Sequence, residues 1–239
     1  MKKIDFSKLP DQAPEYDLRE LLELGCHFGH SKNKWNPLME DYIYTEKNGV
    51  HIFDLAKTAQ QLQQAYNYVY QLGKKKKTLI MVGTKRQARE IVREVAEEVG
   101  AMYITSRWLG GFLTNWDQVS KSLKRMLKIE AELKEGGYEG YTKYEISQIK
   151  KELSRLRRFF EGVRDLKGKP DALFIVDPTK EENAVKEANS EDVPVVALID
   201  SDGDPNQVDL PIPANDDAVK CVEFMVRQIG QAYKKGQEA

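Results

Sequence analysis

The chain has 239 residues, of which 37 are Lys or Arg and 38 Asp or Glu, giving a formal charge of −1, and 41% are hydrophobic. That apolar share is enough for a packed core and excludes wholesale disorder, while a mean hydropathy of −0.60 leaves much of the chain solvated or ion-paired. No apolar run approaches the roughly 20 residues that cross a bilayer, the start Met1-Lys-Lys-Ile-Asp-Phe-Ser7 lacks a signal-peptide stretch, and Cys26 and Cys221 form no Cys-x-x-Cys pair. The expectation is a cytoplasmic protein of a reduced compartment, with no membrane partner and no zinc ribbon.

In chain order, Leu18 to Leu24 predicts a short helix, and Tyr42-Ile-Tyr44 with Val50-His-Ile-Phe53 predicts a hairpin across Lys47-Asn48-Gly49. Leu55 to Leu72 has the spacing of a long amphipathic helix. Thr78-Leu-Ile-Met-Val82 reads as a buried strand and Gly83-Thr-Lys-Arg-Gln87 as a turn. Ala88, Ile91, Val92, Val95, Ala96 and Val99 then form one helical face that stops at Gly100, and Met102-Tyr-Ile104 begins another strand. The same grammar returns in Ala172-Leu-Phe-Ile-Val176, a helix around Glu181 to Ala188, and Val193-Pro-Val-Val-Ala-Leu-Ile199. From Asn215 onward, Ala218, Val219, Val222, Met225, Val226 and Ile229 define a closing helix. Continuous apolar strands alternating with amphipathic helices require a parallel sheet covered on both faces. The predicted fold class is therefore α/β, a three-layer parallel sheet of flavodoxin- or Rossmann-like grammar.

The middle of the chain differs. Ile146, Ile149, Leu153, Leu156, Phe160 and Val163 are spaced alternately by three and four residues, as in a coiled-coil seam. Val119, Leu123, Met126 and Leu133 keep the same rhythm with Glu130 at one seam position, and Gly136-Gly-Tyr-Glu-Gly140 supplies a turn. These features predict an antiparallel coiled-coil helical hairpin at 119–168, inserted in an α/β body formed by 1–118 and 169–239. An arm of about 20 residues would reach roughly 30 Å.

The small net charge conceals zones of opposite sign. Lys74 to Arg107 has nine basic and four acidic residues, a net of +5, and Val119 to Lys169 has fourteen and eight, a net of +6. Pro170 to Asp217 has two and thirteen, a net of −11. Charge segregated in this way lets one face meet a polyanion while another avoids it.

Several motifs carry candidate chemistry. The loop at Lys85 and Arg86 follows a strand and opens a helix, which favours an anion. It has neither the dinucleotide glycine pattern nor the P-loop pattern, so contact with a nucleic-acid phosphate is more economical than a nucleotide site. Asp200-Ser-Asp-Gly-Asp204 resembles a calcium loop, but Pro205 stands where the turn glycine belongs and Pro211 where the bidentate Glu belongs. Asn215, Asp216 and Asp217 could approach that loop, although capping of the last helix by Asn215 or Asp216 is the commoner use. His27-Phe-Gly-His30 invites a metal, yet no thiol or carboxylate is near it in sequence. Arg107-Trp-Leu-Gly-Gly-Phe-Leu-Thr-Asn115 pairs a guanidinium and an indole, at Arg107 and Trp108, with two glycines, the mark of a phosphate contact or of a buried turn. Lys32, Lys34, Trp35 and Asn36 combine cations, a ring and an amide, the inventory of RNA contact, without any RNP, KH or zinc-knuckle signature. No nucleophile elbow or metalloprotease motif occurs, so an enzyme reading would rest on fold analogy.

A set of ordered strings resembles one family. Gly25-Cys-His-Phe-Gly-His30, Trp35-Asn-Pro37, Asp54-Leu55, Lys57-Thr58, Val82-Gly-Thr-Lys-Arg-Gln-Ala88, Arg107 to Asn115, Pro170-Asp-Ala-Leu-Phe174, Asp177-Pro178, Glu187-Ala-Asn189 and Ile212-Pro-Ala-Asn-Asp-Asp-Ala218 are similar to the protein S-two family of the small ribosomal subunit, collinearly from about Leu21 to Val226. The predicted arm points to its bacterial branch. The resemblance implies a non-enzymatic ribosomal component that binds small-subunit ribosomal RNA, neighbours other small-subunit proteins, helps dock protein S-one, and is not a homo-oligomer. Within the arm, Lys121, Lys124, Arg125, Lys128, Lys150, Lys151, Arg155, Arg157 and Arg158 become the candidates for phosphate. No cofactor is required. The resemblance also revives a divalent metal, with His30, Asp200, Asp216 and Asp217 as ligands. Two departures fall in the acidic segment: Asp200-Ser201-Asp202 where the family usually has Asp-Thr-Asn, and Thr179-Lys-Glu-Glu182 where it is commonly more basic. Two other readings remain open, a phosphate-handling Rossmann-like enzyme using Lys85 and Arg86 with a metal at Asp200 and Asp202, and a coiled-coil adaptor for a protein helix.

Overall fold

The computed structural model describes residues 9–138 and 140–239. Its helices are α1 (Leu18–Glu23), α2 (Leu55–Lys74), α3 (Arg89–Val99), α4 (Trp116–Lys134), α5 (Lys143–Phe160), α6 (Glu182–Ser190) and α7 (Val219–Glu238). The strands are β1 (Phe28–Ser31), β2 (Ile43–Lys47), β3 (Val50–Phe53), β4 (Leu79–Val82), β5 (Met102–Ile104), β6 (Ala172–Val176), β7 (Val195–Ile199) and β8 (Leu210–Pro213). Five of them form a parallel sheet in the order β5-β4-β6-β7-β8.

The alternation of side chains along these strands separates two cores. Leu79, Met81, Phe174, Val196 and Leu198 pack with α2, α3 and α7, whereas Ile80, Val82, Leu173, Ile175, Val195 and Ala197 pack with α4, α5 and α6. Every residue of β4, β6 and β7 is buried, as the uninterrupted apolar strings require of a sheet covered on both sides. This is a mixed α/β fold of Rossmann-like kind.

The second core also contains Val119, Leu123, Met126 and Ile129 of α4 and Leu153 and Phe160 of α5. These residues of α4 and α5 thus share the core on that face of the sheet. Helix α5 starts with a capping box, in which Thr142 Oγ1 accepts from Glu145 N at 3.3 Å and Glu145 Oε2 accepts from Thr142 N at 2.8 Å.

A second, antiparallel sheet has the order β1-β3-β2. Its hairpin turns at Asn48 and Gly49, with φ of 54° and 77°, as a two-residue turn of the primed type demands. Two strands are absent from the sequence expectation. β1 is the His-Phe-Gly-His segment itself. β8 reads Leu-Pro-Ile-Pro, and its prolines are tolerated because it is an edge strand paired with β7 alone.

Candidate functional site

In the parallel sheet the chain leaves β4 for β5 on one side, while β6 lies on the other. The crevice beyond the carboxyl ends of β4 and β6 is therefore the topological switch point, where open α/β sheets bind their ligands. Here this chain's own side chains occupy it. Thr84, 7% exposed, donates its hydroxyl to Oε1 of the buried Glu181. Lys85 turns inward: its Nζ lies 2.6 Å from Asp217 Oδ1, 2.7 Å from Asp216 Oδ1 and 3.5 Å from Asp177 Oδ2. Arg86 beside it stays exposed. The basic loop predicted to offer two cations outward offers one, because three carboxylates from later in the chain converge on the other.

Burial lowers the Lys85 pKa, but its contacts with Asp216 and Asp217 outweigh this and hold it above the usual lysine range. Lys85 stays a cation. Asp216, 1% exposed, is pushed up to about 7 by burial first and then by the nearby Asp200 and Asp177, against the pull of Lys85. Burial also raises Asp217, yet Lys85 and His30 bring it below the ordinary carboxylate range.

β1 lies against this cluster. His30 N donates to Asp200 Oδ1 at 3.0 Å and to Ser201 Oγ at 2.8 Å. A Cβ at Gly29 would stand 2.9 Å from Ser201 Oγ, so glycine is needed for this approach. The His30 ring lies 2.9 Å from Asp200 through Nδ1 and 3.5 Å from Asp217 through Nε2. The Asp200 contact raises its pKa to about 9 against the effect of burial.

The sequence-predicted metal set is divided by this geometry. His30 with Asp216 and Asp217, and His30 with Asp200 and Asp202, form two groups whose ligand atoms lie within 4.8 Å of one another. In the first, the Lys85 ammonium already supplies the positive charge. In the second, no ammonium is bound among the described residues. The capping of α7 expected of Asn215 or Asp216 is made by neither: α7 starts after Ala218 without a side-chain cap, Asn215 Oδ1 closes the preceding turn by accepting from Asp217 N at 2.9 Å and Ala218 N at 3.1 Å, and Asp216 faces Lys85.

The glycine-containing loop after β5 is organised by a residue to which sequence reasoning gave no role. Glu187 on α6 accepts from Trp108 Nε1 at 3.1 Å, Gly111 N at 2.8 Å and Leu113 N at 2.9 Å. Trp108, 5% exposed, packs on Phe112 at 4.9 Å between ring centroids. Its indole is a structural anchor, while Arg107 is exposed. The motif Glu187-Ala-Asn189 is visible in sequence, but its loop partner lies more than seventy residues away.

The family model described as Ribosomal protein S2 matches residues 21–236 of the 239. The chain belongs to the Ribosomal protein S2 family. Its role is accordingly that of a small-subunit ribosomal protein, structural rather than enzymatic in kind, with ribosomal partners. No helix among the described residues is long and apolar enough to cross a membrane.

In this S2 family member the basic side chains singled out in the sequence fall into two sets. Lys121, Lys124, Lys150, Lys151 and Arg155 are exposed, and among the described residues no carboxylate stands within ion-pair distance of them. Others have partners within the chain. Arg125 holds Glu152 through Nε at 3.1 Å and Nη2 at 3.2 Å, Arg157 holds Glu130 at 2.6 Å, and Lys128 lies 3.6 Å from Glu132. Arg158 is exposed and lies over the Phe159 ring at 5.7 Å. Near β1, Lys32 pairs with Glu46 at 3.2 Å and Lys34 is exposed. Trp35 is half-buried against His51, with ring centroids 5.0 Å apart, and Asn36 caps the turn at Pro37 by accepting from Leu38 N at 3.0 Å.

Proposed function

We propose that the chain is an RNA-bound structural constituent of the small ribosomal subunit, with α4 and α5 acting as an antiparallel coiled-coil arm on an α/β body. The body would comprise 1–118 and 169–239, and the arm 119–168. The observation that carries this reading is the set of cations on the arm that are exposed and, among the described residues, unpaired: Lys121, Lys124, Lys150, Lys151 and Arg155. Cations already paired inside a protein have part of their charge offset by the partner, whereas unpaired ones exchange only counterions and water for phosphate. Arg86, Arg107 and Lys34 extend the basic set onto the body. Docking of protein S-one and a cytoplasmic location belong to the same reading by membership of the family.

The filled crevice at Thr84, Lys85 and Glu181 counts against the Rossmann-like enzyme, since internal ion pairs stand where a nucleotide phosphate would lie. A divalent cation fits His30, Asp200 and Asp202 by donor chemistry, and His30 would have to release its proton to accept it.

The test is binding to small-subunit ribosomal RNA at graded salt. Affinity is expected to fall steeply with salt, and Lys121→Glu with Lys124→Glu to weaken it and flatten the salt slope by about one for each phosphate no longer neutralised. Those two positions are better probes than Arg125, whose reversal would also break its pair with Glu152. Salt-insensitive association would overturn the reading, and binding of a protein helix through the apolar seam would favour an adaptor.

A further inference from the structure

β5 is an edge strand of the parallel sheet, paired with β4 alone. A strand edge needs cover, and the chain returns after α5 to provide it. A Cβ on Gly162 would stand 2.2 Å from the carbonyl oxygen of Tyr103 and 2.5 Å from its ring, so only glycine allows this approach. Beside this close approach a cleft of about 630 Å³ opens between the end of β5 and the last turns of α5, lined among others by Arg93, Tyr103, Thr105, Arg157, Arg158 and Phe159. Its volume is within the range of small-ligand sites, roughly 300 to 1,000 Å³.

The lining has three guanidinium groups and one carboxylate, Glu161. Two of the arginines are held in place by their own partners, Arg93 by Glu97 at 3.0 Å and Arg157 by Glu130 at 2.6 Å. Each of these pairs uses Nε and leaves further N–H donors on the fork. Glu161 is itself engaged by Arg164 Nη1 at 3.0 Å. Arg158 has no carboxylate partner among the described residues, and its guanidinium lies over Phe159. Tyr103 is fixed by donating its hydroxyl to Glu97 at 2.7 Å. Oriented guanidinium groups beside aromatic rings are the means by which proteins hold unstacked nucleotides, the charge on phosphate and the planes on the base.

We propose that this cleft receives one unstacked ribonucleotide of an RNA strand, its phosphate among Arg93, Arg157 and Arg158 and its base against Tyr103 and Phe159. The proposal rests on the RNA-binding reading and adds a recognition element at the root of the arm that takes single-stranded RNA. A duplex can reach it only by unpairing a base.

The test uses the full-length chain and a short single-stranded oligoribonucleotide carrying 4-thiouridine, a fully paired duplex of the same sequence, and adenosine 5′-monophosphate as competitor. Near-ultraviolet irradiation is expected to crosslink the single strand, and not the duplex, to residues 103–105 or 157–159. Arg158→Glu should abolish most of that crosslink and weaken single-strand binding roughly tenfold, without unfolding the protein, because Arg158 is exposed and unpaired. Phe159→Leu keeps an apolar side chain and should weaken binding roughly fivefold by removing the stacking surface. Lys121→Glu should weaken ribosomal RNA binding while sparing the crosslink. Crosslinks elsewhere, or crosslinks indifferent to Arg158→Glu, would overturn the cleft even if the wild-type chain binds ribosomal RNA. Failure of the wild type to bind ribosomal RNA would overturn the broader reading instead. Full displacement by the mononucleotide would assign the cleft to free nucleotides and overturn the RNA-strand assignment.

Discussion

The carboxylate of Glu130, on the buried face of α4, lies 2.6 Å from Nε of Arg157 on α5, and its other oxygen lies 3.1 Å from Nη2 of Arg164 just beyond that helix. Glu130 is 6% exposed, while the arginine side chains are 50% and 41% exposed. Burial raises its pKa, but the two arginines outweigh burial and hold the group ionised. An acid at the seam between α4 and α5, among the apolar residues the two helices share, here fixes α5 and the returning chain to α4. Glu130→Ala is expected to cost about 1–2 kcal/mol, a modest figure because both guanidinium groups remain hydrated when released. Glu130→Leu, which refills the seam, should cost less. Urea unfolding of both variants checks this, and equal destabilisation would mean that the seam gains nothing from an apolar residue.

Glu187→Ala should leave the Trp108 indole N–H and the amides of Gly111 and Leu113 without acceptors in a water-poor site. The expected loss is about 3 kcal/mol, since each unsatisfied buried donor costs about 1–3 kcal/mol and some will find water. Hydrogen exchange at Gly111 and Leu113 should accelerate before the rest of the fold. Unchanged protection there would show that the loop is held by its packing alone.

Lys85→Met removes the one cation that faces Asp177, Asp216 and Asp217 together among the described residues. The predicted cost at neutral pH is about 3 kcal/mol, the low end for breaking a buried ion pair, because Asp217 remains half-exposed. Millimolar Mg²⁺ or Zn²⁺ should restore part of the melting temperature in this variant, with a smaller gain in the wild type. A variant that melts like the wild type would mean that the carboxylates simply take up protons.

Glu181 provides a pH prediction. Burial raises its carboxyl above the ordinary 4.5, and the hydroxyl of Thr84 offsets only part of this. A carboxyl whose folded pKa lies above its unfolded value contributes stability that is present below the unfolded pKa and is lost as pH rises through the folded one. Glu181→Gln can still accept from Thr84 and carries no charge. It should match the wild type near pH 4 and be the more stable protein near pH 7, as read from urea midpoints. A gap of equal size at both pH values would rule out ionisation of Glu181 as its source.

Where local chemistry suffices, the sequence alone decided the structure. β6 spans Ala172–Val176 as its apolar string predicts, and the turn at Asn48-Gly49 follows from the tolerance of those two residues for positive φ. The alternation of buried strands with amphipathic helices fixed the α/β class for the same reason, because a strand apolar on both faces must be covered twice. Tertiary structure decided what depends on residues distant in the chain. The prolines of β8 argue against a strand until its position at the sheet edge, where one set of amides has no partner to meet, is known. Glu187 reads as an ordinary helix-surface acid until α6 is packed beside the loop after β5. Lys85 reads as an outward cation until Asp177, Asp216 and Asp217 are brought to it. That convergence also revises the meaning of the near-zero net charge. The excess of acidic residues between Pro170 and Asp217 is in part an internal counter-charge to the basic loop after β4, and the exposed cations left over include Lys121, Lys124, Lys150, Lys151 and Arg155 of α4 and α5. Composition counts charges. Only the fold decides which of them neutralise each other inside the protein and which remain for a partner, because Coulomb attraction acts over a few ångströms of space rather than along the chain.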